Sequence, residues 1–529
     1  MAEKSYTFKS DGVVTQEELD ALADPNPRRP PVLAIAASDS GGGAGITADC
    51  ITIHDCGAWP LPALTAATAQ SLRRVAAVDA LGTDAFGESL RLACSDWPAP
   101  RAVKVGFISS DEILRITLAA LEGPLKGAAV VWDPVLTATS GRMKSADLRS
   151  QLKRILKAST VFTPNLDEAL ELAGWDLARY GIEGPQALGQ EFLAMGAKAV
   201  IIKGGHDLSA PRAVDTFVSE SLCFSMELPK LKGRGAHGGG CALSSALAAF
   251  LAQGYALEDA AVLAKAYVYE GISKPGIEAG SGRPPVGHHG LPVRLEYVPS
   301  VHETGFPRFA GPFRRCPLSL GAYPVVDSPE WIARCMRAGA RTVQLRIKEG
   351  PQDAILEKIR QAVRICREGH ARLFVDDWYE LAIEAGAYGV HLGMEDLRTA
   401  DLELIRRAGL RLGVSTHGVY ELVKAMQLNP SYIALGHIFP TNTKSMPSNP
   451  QGVVRMRRQM AMVGNSFPLT CIGGINESNA GAVIGTGIRS VALVTAITKS
   501  PDPDGALKRW IGRIGNGGEE IPRGDSHAL

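Results

Sequence analysis

"RLFVDDWYELAIEAGAYGVHLG" runs from Arg372 to Gly393. It opens on a short apolar run that ends in two carboxylates, Asp376 and Asp377. A segment of helical length follows, then a second apolar run that carries His391. Strand, helix and strand in succession make a βαβ unit, whose two strands lie parallel because the helix carries the chain back.

Working outward, the unit recurs. Eight strand candidates follow one another: "AYPVVD", "TVQLRIK", "RLFVDD", "YGVHLG", "RLGVST", "YIALGHIF", "LTCIGGI" and "SVALVTAI". Most are separated by room for a helix, so the spacing predicts a small (β/α)8 TIM barrel over 319–515, with its chemistry at the strand C-termini. There stand Arg346 and Lys348, Asp376 and Asp377, Ser415, Thr441 to Lys444, Gly473 and Gly474, and Val494 and Thr495. Arg346 and Lys348 lie two apart, hence on one face of a strand. Lys444 adds a third cation, and Asp376, Asp377 and Asp396 supply acidic oxygens. Cations and carboxylates around one mouth suit a Mg²⁺–diphosphate site; surface ion pairing is the plainer alternative. The bare amides of Gly473 and Gly474 suit a phosphate, or else a tight turn.

Upstream, "PVLAIAAS", "AVKVGFI", "AAVVWDP", "STVFTPN" and "AKAVIIKGG" alternate with amphipathic segments. Near-continuous apolar strands imply a doubly wound, mostly parallel sheet covered on both faces, here over 31–275. Ligands of such sheets bind beyond the strands' carboxyl ends. In "GAHGGGCALSSALAAFLAQG" (235–254), Gly238, Gly239 and Gly240 precede an apolar helix. Glycine amides at a helix N-terminus can converge on an anion. Cys241 follows them, where a thiol's pKa is expected to be lowered, or where it is simply a small buried residue. Asn165 and Glu168 follow a strand and could approach Mg²⁺; Lys203 follows another and could neutralise ATP phosphates. Together these favour phosphoryl transfer, which depends on positioning and charge.

The text at 276–318 is rich in Pro and Gly and reads as a linker. Residues 1–30 read as a polar N-terminal tail and 516–529 as a C-terminal one. Charged residues are 21% and the net charge is +1, so no electrostatic case exists for nucleic acid or an anionic membrane. No stretch is apolar enough to span a bilayer. The nine cysteines, without a C-x-x-C, point to a reducing, cytoplasmic setting.

Two resemblances sharpen this. Through "SDSGGGAGITAD", "ALTAATAQS", "DPVLTATSG", "TPNLDEA", "KGGH" and "HGGGCALSSALAAFLAQG", the first half resembles the hydroxymethylpyrimidine/phosphomethylpyrimidine kinases of the ribokinase-like superfamily. Through "YPVVDS", "QLRIK", "GVSTH", "ALGHIFPTNTKSMP", "IGGI" and "VTAI", the second resembles thiamine phosphate synthase. The first resemblance implies two ATP-dependent phosphorylations that give a pyrimidine diphosphate. The second implies its condensation with thiazole phosphate, releasing pyrophosphate. By position, Ala37, Ala44, Gln70, Phe107 and Val135 would line the pyrimidine pocket. Cys241 would be catalytic above the Gly238–Gly240 anion hole, with Asn165, Glu168 and Lys203 serving ATP and Mg²⁺. Gln344, Arg346, Lys348 and Lys444 would hold diphosphate, and Asp377 and Asp396 the metal. Ser415, Thr441 and Thr443 would complete that pocket, and Gly474, Val494 and Thr495 would take the thiazole or product phosphate. Asp376, also at the diphosphate, stands where asparagine is usual, and Gly239 where threonine is. The implied partners are these small molecules; a homo-oligomer stays open. Two other readings also remain: a non-catalytic pyrimidine-binding module in the first half, and a thiazole tautomerase relative in the second.

Overall fold

The apolar run Val32–Ala36 is buried along its whole length, as an internal parallel strand must be. In the computed structural model it belongs to a nine-stranded sheet. The structure describes residues 29–72, 74–136, 145–205, 210–231, 236–278, 283–308, 311–441 and 448–518. The expected N-terminal tail therefore lies almost wholly outside the described residues. The chain divides into two units at Thr304 and Gly305.

The strands of the first unit are β1 (Pro31–Ala36), β2 (Trp59–Leu64), β3 (Ala66–Gln70), β4 (Val75–Ala80), β5 (Ala102–Val105), β6 (Ala129–Trp132), β7 (Val161–Phe162), β8 (Ala199–Lys203), β9 (Arg212–Ser219), β10 (Cys223–Pro229) and β11 (Ser300–Glu303). The sheet order is β11-β10-β9-β8-β7-β6-β5-β1-β2, with β3 and β4 forming a separate hairpin. The run from β8 to β2 is parallel, and β9, β10 and β11 extend it antiparallel. Helices cover both faces. On one, Ile113, Leu118, Ile155, Leu188 and Phe192 pack with Leu33, Val103, Trp132 and Phe162. On the other, the helix Gly239–Ala252 lies on β1, β5 and β6 and under the helix Leu257–Ser273. It is apolar all round because it is covered all round.

Part of the stretch read as a linker is built into this unit. Ser300–Glu303 pairs with β10. Upstream, Gly287 N donates to Gly271 O, and Asp55 accepts from Tyr267 Oη and Gly290 N, both at 2.9 Å. Proline and glycine marked irregular backbone correctly, but this backbone is fastened by side chains that precede it.

The second unit is a closed barrel of eight strands: β12 (Gly321–Val326), β13 (Thr342–Leu345), β14 (Arg372–Asp376), β15 (Gly389–Leu392), β16 (Arg411–Thr416), β17 (Tyr432–Leu435), β18 (Leu469–Cys471) and β19 (Ser490–Leu493). All neighbours are parallel, and β19 closes on β12. Each matches one of the eight sequence runs. The interior is packed by pairing aromatics with glycines. A Cβ on Gly413 would lie 2.3 Å from the Tyr432 ring, and one on Gly389 would lie 2.5 Å from the Phe374 ring. The missing side chains of β15 and β16 thus make room for the rings of β14 and β17. The expected C-terminal tail begins as part of this unit: Ala322 N donates to Gly515 O, and Gly518 N to Ser319 O. Among the described residues no helix is long and apolar enough to cross a membrane.

Candidate active sites

In the first unit, chain segments that follow β1, β5, β6, β7 and β8 converge on one cavity of about 330 Å³. Ala37, Ala44, Gln70, Phe107 and Val135 line it, together with Asn165, Glu168, Lys203, Gly238, Gly239, Gly240 and Cys241. All twelve residues expected at this site are therefore gathered around one space. Ala37 and Phe107 pack with Ala66, Val75 and Val135 into a small apolar wall, and Gln70 ends β3 beside it.

The glycines differ in what they do. Gly238 caps the helix at φ +81°, and a Cβ there would lie 1.9 Å from Gly43 O. Both the left-handed backbone and the contact demand glycine. A Cβ on Gly240 would come within 3.2 Å of Lys203 Nζ, whereas one on Gly239 would meet nothing within 4 Å. The first helical bond runs from Ala242 N to Gly238 O. The amides of Gly239, Gly240 and Cys241 precede it and point out of the helix end.

Lys203 Nζ donates to Asp133 Oδ1 at 2.7 Å. Burial works against its ammonium, but Asp133 and Glu168 outweigh burial and raise its pKa. Asn165 and Glu168 form a capping box on the helix Leu166–Ala173: Glu168 N donates to Asn165 Oδ1, and Asn165 N to Glu168 Oε2. One oxygen of each side chain is thereby engaged by its own helix. Burial and the nearby Asp133 raise the Glu168 pKa against the pull of Lys203.

The thiol expectation is corrected. Burial pushes Cys241 up to about 11; Lys104 and the Gly45 amide pull it down, and Asp49 and Asp133 push it further up. Burial and two carboxylates outweigh the helix terminus, so Cys241 is a neutral thiol at pH 7. Lys104 is fully buried and gives its charge to Asp49 at 2.6 Å, which also accepts from Ser245 Oγ at 2.8 Å.

Sequence reading missed Asp39, Lys104, Asp133 and His237. Asp133 directly follows β6, and the rule that ligands gather beyond strand ends would have found it. Asp39 Oδ2 lies 2.9 Å from His237 Nε2. It also accepts from the amides of Gly41 and Ala44. Burial alone would raise its pKa, but these bonds outweigh it.

At the barrel mouth, Gln344 Nε2 donates to Asp376 Oδ1 at 2.9 Å, and Arg346 Nε donates to Asp376 Oδ2 at 2.8 Å. Asp376 therefore orients the two residues beside it. Burial raises its pKa, and Asp377 and Asp396 add to this against Arg346. β13 ends at Leu345; Arg346 and Lys348 thus belong to the following loop rather than to one face of the strand, and Lys348 is exposed. Asp377 has φ +66°, a left-handed conformation uncommon outside glycine and typical of functional turns. Asp396 Oδ2 accepts from Gly393 N. Ser415 stands at the end of β16 and contacts His391.

Gly473 and Gly474 both have positive φ, and a Cβ on either would strike the loop after β17, at His437 or at Pro440 O. They are thus a tight turn packed on the loop that leads to Thr441. Val494 precedes the short helix Thr495–Thr498. Thr443 and Lys444 lie outside the described residues. Among the described residues no three His, Cys, Asp or Glu side chains cluster as a ready metal cage.

Residues 39–287 match the family described as phosphomethylpyrimidine kinase, and residues 322–497 the family described as thiamine monophosphate synthase. The thiamine-phosphate synthase of Serratia proteamaculans (strain 568) is 54% identical over 191 residues, 36% of this chain and 90% of that protein. That of Cronobacter sakazakii is 51% identical over 207 residues, 39% of this chain and 98% of that protein. A solved phosphomethylpyrimidine kinase from Clostridium difficile 630 is 33% identical, covers 45% of this chain and 98% of its own, and has a TM-score of 0.39. Through residues 322–497 the chain belongs to the thiamine monophosphate synthase family, and through residues 39–287 to the phosphomethylpyrimidine kinase family, which makes it an enzyme of thiamine biosynthesis in both halves.

Proposed function

We propose that the first unit carries hydroxymethylpyrimidine to its diphosphate in two ATP-dependent steps, and that the second joins that diphosphate to thiazole phosphate. The observation that carries the first reading is the placing of Lys203 against Gly240, at the open end of the helix Gly239–Ala252. An ammonium and three outward amides face the same space, beside an apolar wall that can hold a flat ring. Gln70 meets the ring's polar edge. Lys203 and the amides of Gly239, Gly240 and Cys241 take the transferring phosphoryl group, whose charge spreads over its outer oxygens. The neutral Cys241 thiol sits where the substrate hydroxyl arrives and orients it. A loose phosphoryl-transfer transition state demands little from a base; the thiol, raised to about 11, takes no proton, and the hydroxyl proton leaves late, to an oxygen of the transferred phosphoryl group.

Hard carboxylate oxygens in ones and twos suit Mg²⁺, which shares its shell with substrate phosphates and water. Asp133 and Glu168 would hold it in the first unit, and Asp377 and Asp396 in the second. There it would offset charge on the phosphates. In the barrel, Arg346, held by Asp376, and Gln344 grip the diphosphate, with Lys348 and Thr441; Thr443 and Lys444, outside the described residues, join them on the resemblance alone. Ser415 meets the pyrimidine. Gly474, Val494 and Thr495 offer the turn and helix terminus that suit the thiazole phosphate.

The kinase reading is tested by ADP release that depends on hydroxymethylpyrimidine. Gly238→Ala should reduce the rate by about tenfold or more, since the new Cβ and the backbone angle both force the loop open. Gly239→Ala, with open space around it, should stay within about twofold. Equal rates in all three chains would remove the loop from the chemistry.

A further inference from the structure

The barrel holds a hydrogen-bonded chain that the roles above leave unused. Tyr323 on β12 and Tyr432 on β17 meet hydroxyl to hydroxyl at 2.9 Å. Tyr432 Oη lies 2.7 Å from His391 Nδ1, and His391 Nε2 lies 2.7 Å from Ser415 Oγ. The imidazole stacks on the Tyr432 ring, with centroids 5.6 Å apart. Both tyrosines are buried, and Ser415 is half-buried at the mouth.

Hydroxyls and a neutral imidazole in series allow two polarities. In the first, Ser415 donates inward, and each group passes the donation on toward Tyr323. The last hydrogen, on Tyr323 Oη, then needs an acceptor in the core. Among the described residues Tyr323 Oη meets no hydrogen-bond partner other than Tyr432 Oη. Val325, Phe374, Ala434, Ala492 and Cys316 pack in the same cluster, and the Asp376 carboxylate, whose charge reaches Tyr323, is engaged by Gln344 and Arg346. A buried donor left without a good acceptor is costly. In the second polarity, Tyr323 donates to Tyr432, Tyr432 donates to Nδ1, and Nε2–H donates to Ser415. Nothing is then left over but a lone pair on Tyr323, so the core selects this direction.

We propose that the chain makes Ser415 a one-way hydrogen-bond donor. His391, fixed as the Nε2–H tautomer by Tyr432 with Tyr323 behind it, occupies the serine oxygen and leaves the serine hydrogen for an acceptor atom on the bound substrate. This rests on the reading that Ser415 touches the pyrimidine diphosphate. Tyr323, Tyr432 and His391 are positioning residues. The hydrogen they aim favours a substrate with a ring nitrogen or phosphate oxygen at that point.

The test is a double-mutant cycle in the full chain, with supplied pyrimidine diphosphate and thiazole phosphate. Tyr432→Phe keeps the ring and its packing but removes the hydroxyl. Tyr432→Phe and Ser415→Ala should each lower kcat/KM by about tenfold, and the double variant should be no slower than Ser415→Ala alone. Losses that multiply, to about a hundredfold in the double variant, would show that Tyr432 does not act through the serine and would overturn the proposal. So would Tyr432→Phe at the unmodified rate. Ser415→Ala at the unmodified rate would overturn the reading of the serine itself, and the proposal with it.

Discussion

Lys203→Met should stop phosphorylation of hydroxymethylpyrimidine almost completely, while thiamine phosphate still forms at the unmodified rate from supplied pyrimidine diphosphate. Methionine keeps the length of the side chain and removes its charge. In the native site Asp133, at 2.7 Å, holds the ammonium, and the Gly240 backbone lies against it. The transferring phosphoryl group would then meet a fixed cation and needs no rearrangement to be stabilised. Loss of one preorganised electrostatic contact of this kind costs about 10²–10³ in kcat. Here the loss is compounded, because Asp133 loses the cation it bonds and Glu168 loses the charge that pulls its pKa down, so the order of the whole cluster goes with the ammonium. Steady-state ADP release from the full chain is the check. A kcat within a few-fold of the native value would mean that the helix amides alone carry the phosphate.

Arg346→Ala should be the mirror case. It should lower the synthase kcat by about 10²–10³ and leave ADP release unchanged. On the proposed reading Arg346 serves the diphosphate; it also balances Asp376, the buried carboxyl it bonds at 2.8 Å. Without it, burial and the neighbouring Asp377 and Asp396 drive the Asp376 pKa further up. Gln344 then loses the charged partner that orients it. The resemblance to the synthase family implies that the C–O bond breaks before the thiazole attacks. On that route charge grows on the departing pyrophosphate, and a cation there favours the transition state over the ground state. The deficit should therefore appear in kcat as well as in kcat/KM. A rise in KM alone would assign Arg346 to ground-state binding. Lys348, exposed and without a carboxylate partner among the described residues, should matter less.

The barrel was legible because its signal is local. All eight apolar runs, each closed by polar residues or glycine, stand in the structure as strands. In the first unit five of the six parallel strands were legible for the same reason; β2, whose "WPLPAL" carries two prolines, was missed. β11 was missed as well: "SVHE" is short and apolar only at Val301, and it is a strand because the free edge of β10 accepts it. Local propensity does not encode that decision.

Most of the expected pocket and phosphate residues of the first unit came together because they stand at or just after strand ends, and Gly238 to Cys241 because they open a helix beside them. What stayed hidden was the pairing behind them. Asp39 and His237 are 198 residues apart, and Lys203 and Asp133 are 70 apart; in sequence each looks like a solvated charge. The Cys241 thiol went the wrong way for the same reason, since the helix terminus is visible in the text and Asp49 is not. Asp376 looked like an unwelcome charge near a diphosphate until the fold supplied Arg346 and Gln344 as its partners.

On the proposed function, one chain carries hydroxymethylpyrimidine to thiamine phosphate through a free or transferred diphosphate. The direct measurement is a mass-resolved time course on the full chain with hydroxymethylpyrimidine, Mg-ATP and thiazole phosphate. The monophosphate, the diphosphate and thiamine phosphate should appear in that order, and the Arg346→Ala chain should accumulate the diphosphate. Contradiction would be a native chain that makes thiamine phosphate from supplied diphosphate yet never phosphorylates hydroxymethylpyrimidine or its monophosphate. The first unit would then bind the pyrimidine without transforming it.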